Sequence, residues 1–188
     1  FSCEDMVTSN TIEFNLADAG GGISNCLRLV SGNRVCHNRA ISAGGGVYRC
    51  SDRVENNLVL GNEADNGGGL FQCRADVRGN TVTLNIARID GGGLADCDGL
   101  IENNRIESNH AFSGGGLAHC DDIVRNNIII SNSAVRQGGG LVSCGGQVMD
   151  NHVIHNAAAQ GAGIAAGHGV MRNNLVRENV ASGTGGGF

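Results

Sequence analysis

A run of three glycines recurs along this chain at almost constant spacing, and no other feature restricts its fold as strongly. The runs begin at residues 20, 44, 67, 91, 114, 138 and 185, and the degenerate copy Gly161-Ala162-Gly163 fills the remaining interval. Successive copies are alternately 24 and 23 residues apart, so the 188 residues comprise four units of 47 residues, each a long and a short coil. A period between about 20 and 50 residues is typical of a solenoid.

Asparagine occupies two positions of every repeat, five residues apart. The first asparagine column contains Asn10, Asn33, Asn57, Asn80, Asn104, Asn127, Asn151 and Asn174. The second asparagine column contains Asn15, Asn38, Asn62, Asn85, Asn109, Asn132, Asn156 and Asn179. An alanine column follows two residues later, at Ala17, Ala40, Ala64, Ala87, Ala111, Ala134, Ala158 and Ala181.

Three apolar columns complete the repeat. One follows the glycines, at Ile23, Val47, Leu70, Leu94, Leu117, Leu141, Ile164 and Phe188. The others contain Val7, Val30, Val54, Val77, Ile101, Val124, Val148 and Met171, and then Ile12, Val35, Val59, Val82, Ile106, Ile129, Val153 and Val176. Three apolar segments per coil predict three short strands, because a helical repeat would show a 3.6-residue period over ten or more residues.

The predicted fold is therefore all-β, a parallel β-helix (solenoid) of eight coils of alternating 23 and 24 residues, forming a single domain over residues 1–188 without evident caps. The extra residue of each long coil lies between the alanine column and the glycines, which predicts a tolerant turn there. Each residue should stack on its counterpart about 4.8 Å away in the next coil. Valine, isoleucine and leucine should form dry stacks, and alanine should mark a place where nothing larger fits.

The asparagines and glycines are expected at the corners of each coil. Asparagine tolerates a left-handed backbone conformation at a turn and bonds its amide to the next asparagine of a stack. Glycine allows a positive φ angle and close approach of neighbouring chains.

The unit Asn-x-(Ile/Val)-x-x-Asn-x-Ala followed by Gly-Gly-Gly-Leu resembles the right-handed parallel β-helix repeats of the pectin-lyase-like superfamily. It is most similar to the surface repeats of bacterial polymorphic outer-membrane proteins and autotransporter passengers. The resemblance covers the whole chain and implies a right-handed solenoid at the cell surface or outside the cell. It leaves the activity open, since one fold carries many functions.

Seven of the eight cysteines fall four residues after a glycine run. This cysteine column contains Cys3, Cys26, Cys50, Cys73, Cys97, Cys120 and Cys144, and Gly167 takes the eighth place. Three interpretations remain open: a stack of small buried thiols, disulfides between adjacent coils, or a metal or redox column. Cys36 lies outside the column, at a position that the alternation predicts to face outward.

One charged patch is a weak candidate for a site. Asp96 and His119 come just before the cysteine column, and Arg74, Asp98 and Asp121 come just after it. Carboxylates this close bind Ca²⁺ or act in acid–base chemistry, but a solvated polar face is the simpler interpretation. No long loops interrupt the repeat to build a cleft, so we expect no catalytic residues, no metal site, no cofactor and no enzyme.

The charges of the chain restrict its partners. Glu55, Arg78, Glu102 and Arg125 alternate in sign on successive coils, as lateral ion pairs on a sheet do. The net charge is −5 and lysine is absent, which argues against nucleic acid as a partner. No apolar run approaches the length of a transmembrane helix, and the first residue, Phe1, is not preceded by a signal peptide, which predicts a processed form or a fragment.

The repeat also stays in phase from the last residues to the first. Joining Gly187-Phe188 to Phe1-Ser2-Cys3 reproduces the pattern of Gly69-Leu70-Phe71-Gln72-Cys73. The sequence thus predicts a structural extracellular protein that stacks head-to-tail with itself into a fibre or stalk, or a block of a longer solenoid. The alternatives are a surface adhesin or passenger segment that binds a partner or glycan laterally and, less favoured, a carbohydrate-active enzyme.

Overall fold

The chain is a parallel β-solenoid of eight coils, in a computed structural model that describes residues 3–74 and 76–188. The described part contains 31 short strands in four parallel sheets, of eight, eight, eight and seven strands. Every strand pairs with its counterparts one coil before and one coil after. The predicted all-β solenoid is thereby confirmed, whereas the match at Phe1 and Ser2 lies outside the described residues.

Two sheets carry the two columns around the first asparagine. The first sheet consists of β1 (Val7–Thr8), β5 (Val30–Ser31), β9 (Val54–Glu55), β13 (Val77–Arg78), β17 (Leu100–Glu102), β21 (Ile123–Arg125), β25 (Gln147–Met149) and β29 (Val170–Arg172). The second consists of β2 (Thr11–Glu13), β6 (Arg34–Cys36), β10 (Leu58–Leu60), β14 (Thr81–Thr83), β18 (Arg105–Glu107), β22 (Ile128–Ile130), β26 (His152–Ile154) and β30 (Leu175–Arg177).

The other two sheets lie on either side of the glycines. The third consists of β3 (Leu16–Ala19), β7 (Arg39–Ala43), β11 (Glu63–Asn66), β15 (Ile86–Asp90), β19 (His110–Ser113), β23 (Ser133–Gln137), β27 (Ala157–Gln160) and β31 (Val180–Thr184). The fourth consists of β4 (Ile23–Ser24), β8 (Val47–Tyr48), β12 (Leu70–Phe71), β16 (Leu94–Ala95), β20 (Leu117–Ala118), β24 (Leu141–Val142) and β28 (Ile164–Ala165).

The prediction of three strands per coil is wrong, because a full coil has four. The additional strand carries the alanine column, which sequence reasoning assigned to a turn. Alanine contributes little apolar signal, yet Ala40, Ala64 and Ala111 are completely buried on the inner face of the third sheet. A strand can therefore be part of the wall even where its inward residue is too small to mark it as apolar.

The alternation of 23 and 24 residues is confirmed by the register. Val7 pairs with Val30, and Val30 pairs with Val54. The extra residue of the long coil sits in the third sheet as a β-bulge, where Ala17 pairs with Ala40 but Ala19 pairs with Ala43. The predicted tolerant turn is thus a bulged strand, and the sheet absorbs the extra residue locally without losing pairing.

Among the described residues, the main core cluster is a stack of aliphatic side chains and thiols without an aromatic ring. Valine, isoleucine and leucine of the three apolar columns pack with the cysteine column in one continuous cluster. Leu70, Leu94 and Leu117 have no exposed surface at all. At the two ends of the rod the cluster is only partly covered, at Cys3, Val7, Ile12, Met171 and Val176.

Each coil turns at corners where one residue has a left-handed backbone. The residues concerned directly precede the two asparagine columns and the cysteine column, as Asn56, Leu84 and Asp96 do, or begin the glycine run, as Gly67 does with a φ of +57°. The prediction that the column asparagines themselves adopt this conformation is wrong. Instead, the residue before each column asparagine takes the left-handed conformation. The asparagine side chain then reaches the next coil.

The glycine corner has no room for a side chain. A Cβ atom added at Gly68 would lie 2.5 Å from the carbonyl oxygen of Ile86 and 2.8 Å from that of Gly92. These are backbone atoms of neighbouring strands and cannot move aside. The expected close approach of chains at the glycines is therefore confirmed. Across the described residues, no helix has the length and apolarity needed to cross a membrane.

Candidate functional site

The asparagine columns form two continuous amide ladders that are buried within the wall. In the middle of the rod, the backbone N–H and the Nδ2 of Asn62 both donate to Oδ1 of Asn85, at 2.9 and 3.0 Å. The Nδ2 of Asn85 donates in turn to the carbonyl oxygens of Val59 and Thr83 and to Oδ1 of Asn109. One amide thereby joins three coils, and no asparagine polar group is left for a ligand inside the rod.

The two ladders have a direction, so their ends differ chemically. Every ladder asparagine before the last coil donates from its N–H and its Nδ2 to Oδ1 of the next coil, as Asn10 and Asn62 do. At the first coil, Oδ1 of Asn10 and of Asn15 accept no hydrogen bond from any described residue. At the last coil, the N–H groups of Asn174 and Asn179 donate none within the described part of the chain. One end thus presents acceptors and the other presents donors at the same positions of the coil.

The cysteine column lies on the inner face of the wall at the fourth corner. Cys26, Cys50, Cys73, Cys97, Cys120 and Cys144 are buried, Cys3 at the first coil is partly exposed, and all eight cysteines of the chain are free thiols. The thiol of Cys97 donates to the carbonyl oxygen of Ala95 at 3.4 Å, and the thiol of Cys120 donates to that of Ala118 at 3.4 Å. Both thiols therefore bond to the last residue of the strand that precedes them.

The environment of the column favours the protonated form of the thiols of Cys26 and Cys120. The neighbouring thiol of Cys50 and burial raise the pKa of Cys26 far above its ordinary value. Contact with Cys144 and burial do the same for the pKa of Cys120. Because the thiolate is the reactive and metal-binding form, this arrangement suits packing better than chemistry.

Two cysteine positions depart from the expected pattern. Cys36 was expected to face outward into solvent, but it has no exposed surface. It lies in register between Glu13 and Leu60 of the two neighbouring coils. At Gly167, where the column lacks a cysteine, the end of the Met171 side chain occupies the space that a Cβ would need. The larger methionine thus fills the gap that the missing thiol leaves.

The five residues of the predicted charged patch lie around the cysteine corner, but most of them have structural partners. The backbone N–H of Gly145 donates to Oδ1 of Asp121 at 2.7 Å, and that of Asp121 approaches Oδ1 of Asp98 at 3.4 Å. His119 lies 3.8 Å from the carboxylate of Asp90. Asp98 and Asp121 therefore bond to backbone groups of the next coil at a turn. Arg74 lies one coil before Asp98 and lines a concavity.

Asp96 is the most perturbed carboxyl group of this patch. Burial raises its pKa above the usual range, and the charges of Asp98 and Asp90 add to that, whereas His119 and a hydrogen bond with Gln72 oppose it. Within residues 3–74 and 76–188, no three histidine, cysteine, aspartate or glutamate side chains are arranged to hold a metal ion. The patch has the chemistry of a polar surface with some repulsion between its carboxylates.

The alternating charged column forms ion pairs, although not at every step. Glu102 lies between two arginines. Its Oε1 is 3.3 Å from Nε of Arg78, and its Oε2 is 2.8 Å from Nη2 of Arg125. Arg78 also bonds to Asp76 at 2.7 Å, and Glu55 pairs with Arg53 at 3.6 Å on its own coil. The lateral pairing that was expected on successive coils is present from Arg78 to Arg125.

A concavity that sequence reasoning missed lies beside the cysteine corner of adjacent coils. Its volume is about 280 Å³, and it is lined by Arg49, Cys50, Ser51, Gln72 and Arg74. Of these residues, Cys50 was singled out from the sequence as a member of the cysteine column, and Arg74 was grouped with the carboxylates. The signal was available: Arg49 and Arg74 are the arginines that directly flank the cysteine column, and they flank consecutive cysteines.

Comparison of the chain with protein-family models, with curated proteins and with solved structures found no match.

Proposed function

We propose that the protein is a structural rod whose coils continue past both ends by stacking head-to-tail on further coils. The observation that carries this proposal is the direction of the asparagine ladders. Donors at Asn174 and Asn179 and acceptors at Asn10 and Asn15 occupy matching positions of the coil. A second copy placed on the rod in the same orientation would extend each ladder with the bonds that already join every pair of coils.

The apolar core supports the same arrangement. Ile12 and Val176 belong to one column, at opposite ends of the rod, and both are only partly covered. Stacking would bury them and would also pair the strand edges of the end coils, which otherwise remain open to any other strand. Burial of the remaining apolar surface favours association by about 25 cal/mol per Å².

The direction of stacking gives a specific test with two end-blocked variants. Ile12→Glu places a charge on the first coil, and Val176→Lys places one on the last coil. Each variant should remain monomeric in sedimentation experiments, whereas the unmodified chain should form rods by electron microscopy. Mixed together, the two variants should form one-to-one pairs and nothing longer, because each retains the end that the other has lost.

The control is Val135→Lys, which places the same charge on the lateral surface, where Val135 is 58% exposed. This variant should assemble like the unmodified chain. Monomers of the unmodified chain at high concentration, or an unchanged rod length in both end-blocked variants, would contradict head-to-tail stacking. Circular dichroism of each variant checks that the strands are retained.

The proposed location is the cell surface or the extracellular space, and the support for it is the resemblance of the repeat to bacterial surface repeats. Immunogold labelling of intact cells tests this part separately. Labelling confined to the interior of lysed cells would contradict it and would leave the stacking proposal unaffected.

A second candidate function is a surface segment that binds a partner through its side. The observation in its favour is the concavity lined by Arg49 and Arg74. Binding there would require only one or two coils and is compatible with a stacked rod.

A further inference from the structure

Two arginines, Arg49 and Arg74, border the same small concavity, and no acidic residue lines it. Arg49 precedes Cys50 and Arg74 follows Cys73, so the regular stacking of coils brings their side chains to one opening. The other lining residues are Cys50, Ser51 and Gln72. Since none of them carries a negative charge, the opening combines two positive charges with a hydroxyl and an amide.

The guanidinium groups of this pair form no ion pair with a carboxylate in the described part of the chain. Nε of Arg49 donates to the neutral Oε1 of Gln72 at 2.8 Å, which orients the group but leaves its charge unbalanced. Seven other arginines form ion pairs with carboxylates among the described residues: Arg39, Arg53, Arg78, Arg88, Arg105, Arg125 and Arg177. Neither Arg49 nor Arg74 does so in that part of the chain.

The repeat itself provides an internal reference for these positions. One coil later, the positions equivalent to Arg49 and Arg74 are held by Gln72 and Asp98, and further along by Asp96 and Asp121. A second concavity, of about 460 Å³, is lined by Asp121 and Asp122 among other residues and has no arginine. The fold therefore tolerates either charge here, and two arginines at one opening are not a requirement of the solenoid.

A flat apolar surface adjoins the arginines. The rings of Tyr48 and Phe71 stack at 6.1 Å with an angle of 4° between them. The guanidinium carbon of Arg49 lies 4.9 Å from the centre of the Tyr48 ring. Tyr48 and Phe71 immediately precede two of the lining residues, so a ligand held by the arginines would lie beside an aromatic surface that suits the C–H face of a sugar ring.

From these observations we propose that Arg49 and Arg74 bind the oxyanion of a sulfated saccharide. Two guanidinium groups from different coils supply donors from two sides, which suits a tetrahedral sulfate group. Ser51 and Gln72 add neutral polar contacts, and the stacked rings receive the sugar. The volume of about 280 Å³ is at the lower end for ligand sites, so one sugar residue fits and the rest of a chain would lie along the rod.

This site is independent of head-to-tail stacking, because it lies on the side of internal coils. The test uses the 188-residue chain and follows amide resonances by nuclear magnetic resonance during titration at constant ionic strength. The probes are sodium sulfate, sodium phosphate, glucose 6-sulfate and glucose. We expect millimolar sulfate and phosphate to shift the resonances of Arg49, Ser51 and Gln72, glucose 6-sulfate to bind more tightly than either, and glucose to cause no shift.

Arg74→Gln should weaken glucose 6-sulfate binding about tenfold, the usual scale for losing one charge-assisted contact. The matched control is Arg136→Gln, which removes the same charge from an exposed position of the third sheet. It should leave binding unchanged. Both residues are exposed, so neither substitution should affect folding. If both variants weaken the binding of glucose 6-sulfate equally, the anion is attracted non-specifically to positive charge, and the proposed site is wrong.

Tyr48→Ala separates the two parts of the proposal. It should reduce the affinity for glucose 6-sulfate to that for inorganic sulfate, which should itself be retained. If glucose 6-sulfate binds no better than sulfate to the unmodified chain, the saccharide part is wrong. If none of the anions shifts the residues that line the opening, the oxyanion site is wrong as well.

Discussion

The asparagine corners and the cysteine corner of this solenoid repeat with equal regularity, but they use their residues differently. At the asparagine corners, the same amide makes the same bonds to both neighbouring coils, so every position inside the rod is equivalent. At the cysteine corner, the inward thiol is repeated while the residues on either side of it change from arginine to aspartate to glycine. The first arrangement determines the pairing of coils, and the second leaves the surface free to acquire local chemistry.

The sharpest contrast between these corners is their response to alkaline pH. Neighbouring thiols and burial raise the pKa of Cys26 and of Cys120 in the fold above the ordinary value of 9.0, so the fold favours the protonated thiols. That contribution is complete below the pKa of the unfolded chain and is lost as the pH rises above it. Above the pKa of the unfolded chain, each thiol whose pKa the fold raises should lower the free energy of unfolding by about 1.4 kcal/mol per pH unit. The total loss should be several kcal/mol.

Chemical denaturation in reductant between pH 7 and 10 measures the free energy of unfolding and tests this prediction. Replacing Cys120 by alanine should reduce the slope of stability against pH, because it removes one thiol whose pKa the fold raises. Replacing the partly exposed Cys3 should change the slope less. A flat stability profile across this range would mean that the thiols do not titrate in the unfolded chain as expected.

The glycine corner should be the least tolerant of added volume. Gly68→Ala would place a methyl group against the carbonyl oxygens of Ile86 and Gly92, and should destabilise the fold by about 3 kcal/mol or more. Gly186→Ala is the matched control, since its Cβ would meet only the carbonyl oxygen of Asn179, at 3.1 Å. Similar denaturation midpoints for the two variants would show that the corner can open.

An asparagine inside the rod should matter more than one at its end. Asn85→Ala removes the acceptor of two Asn62 donors and leaves buried groups unpaired, which should cost about 2–3 kcal/mol. Asn10→Ala removes a side chain whose Oδ1 accepts nothing from the described residues and should cost clearly less. Equal losses of unfolding free energy would contradict the view that bonds to both neighbours stabilise the wall.

The smallest effect is expected at the ion pairs. Glu102→Gln removes the charge between Arg78 and Arg125 and should cost about 1 kcal/mol or less, with the difference shrinking as salt is added. Glu63→Gln, at an exposed pair with Arg39, should have no measurable effect. A larger loss of unfolding free energy in Glu63→Gln than in Glu102→Gln would contradict the expectation that the more buried ion pair contributes more.

The regular part of this fold could be predicted because each position is repeated eight times. The valine, isoleucine and leucine columns, the 23- and 24-residue coils and the amide ladders all follow from spacing. The strand at Ala40 and Ala64 was missed because alanine has too little apolar surface to mark an inward position. The burial of Cys36 was missed because it depends on the length of the side chains one coil away.

The candidate site was only partly visible for a related reason. Arg74 was recognised, but the arginine that shares the opening with it is distant in the sequence. Arg49 lies 25 positions earlier, and the stacking of one coil on the next places both at one opening. Grouping by sequence column joined Arg74 to Asp98 and Asp121, whereas the structure gives these two carboxylates to backbone groups of the turns.

The sequence by itself determined the solenoid, its eight coils and the residues that stack, because a strict repeat has few ways to satisfy every backbone group at once. The tertiary structure alone decided the number of sheets, the residues that take the left-handed corners and the side chains that meet across coils. The physical reason is distance: bonding within a coil follows the order of the chain, but contacts between coils depend on register and side-chain length, which only the folded rod brings together.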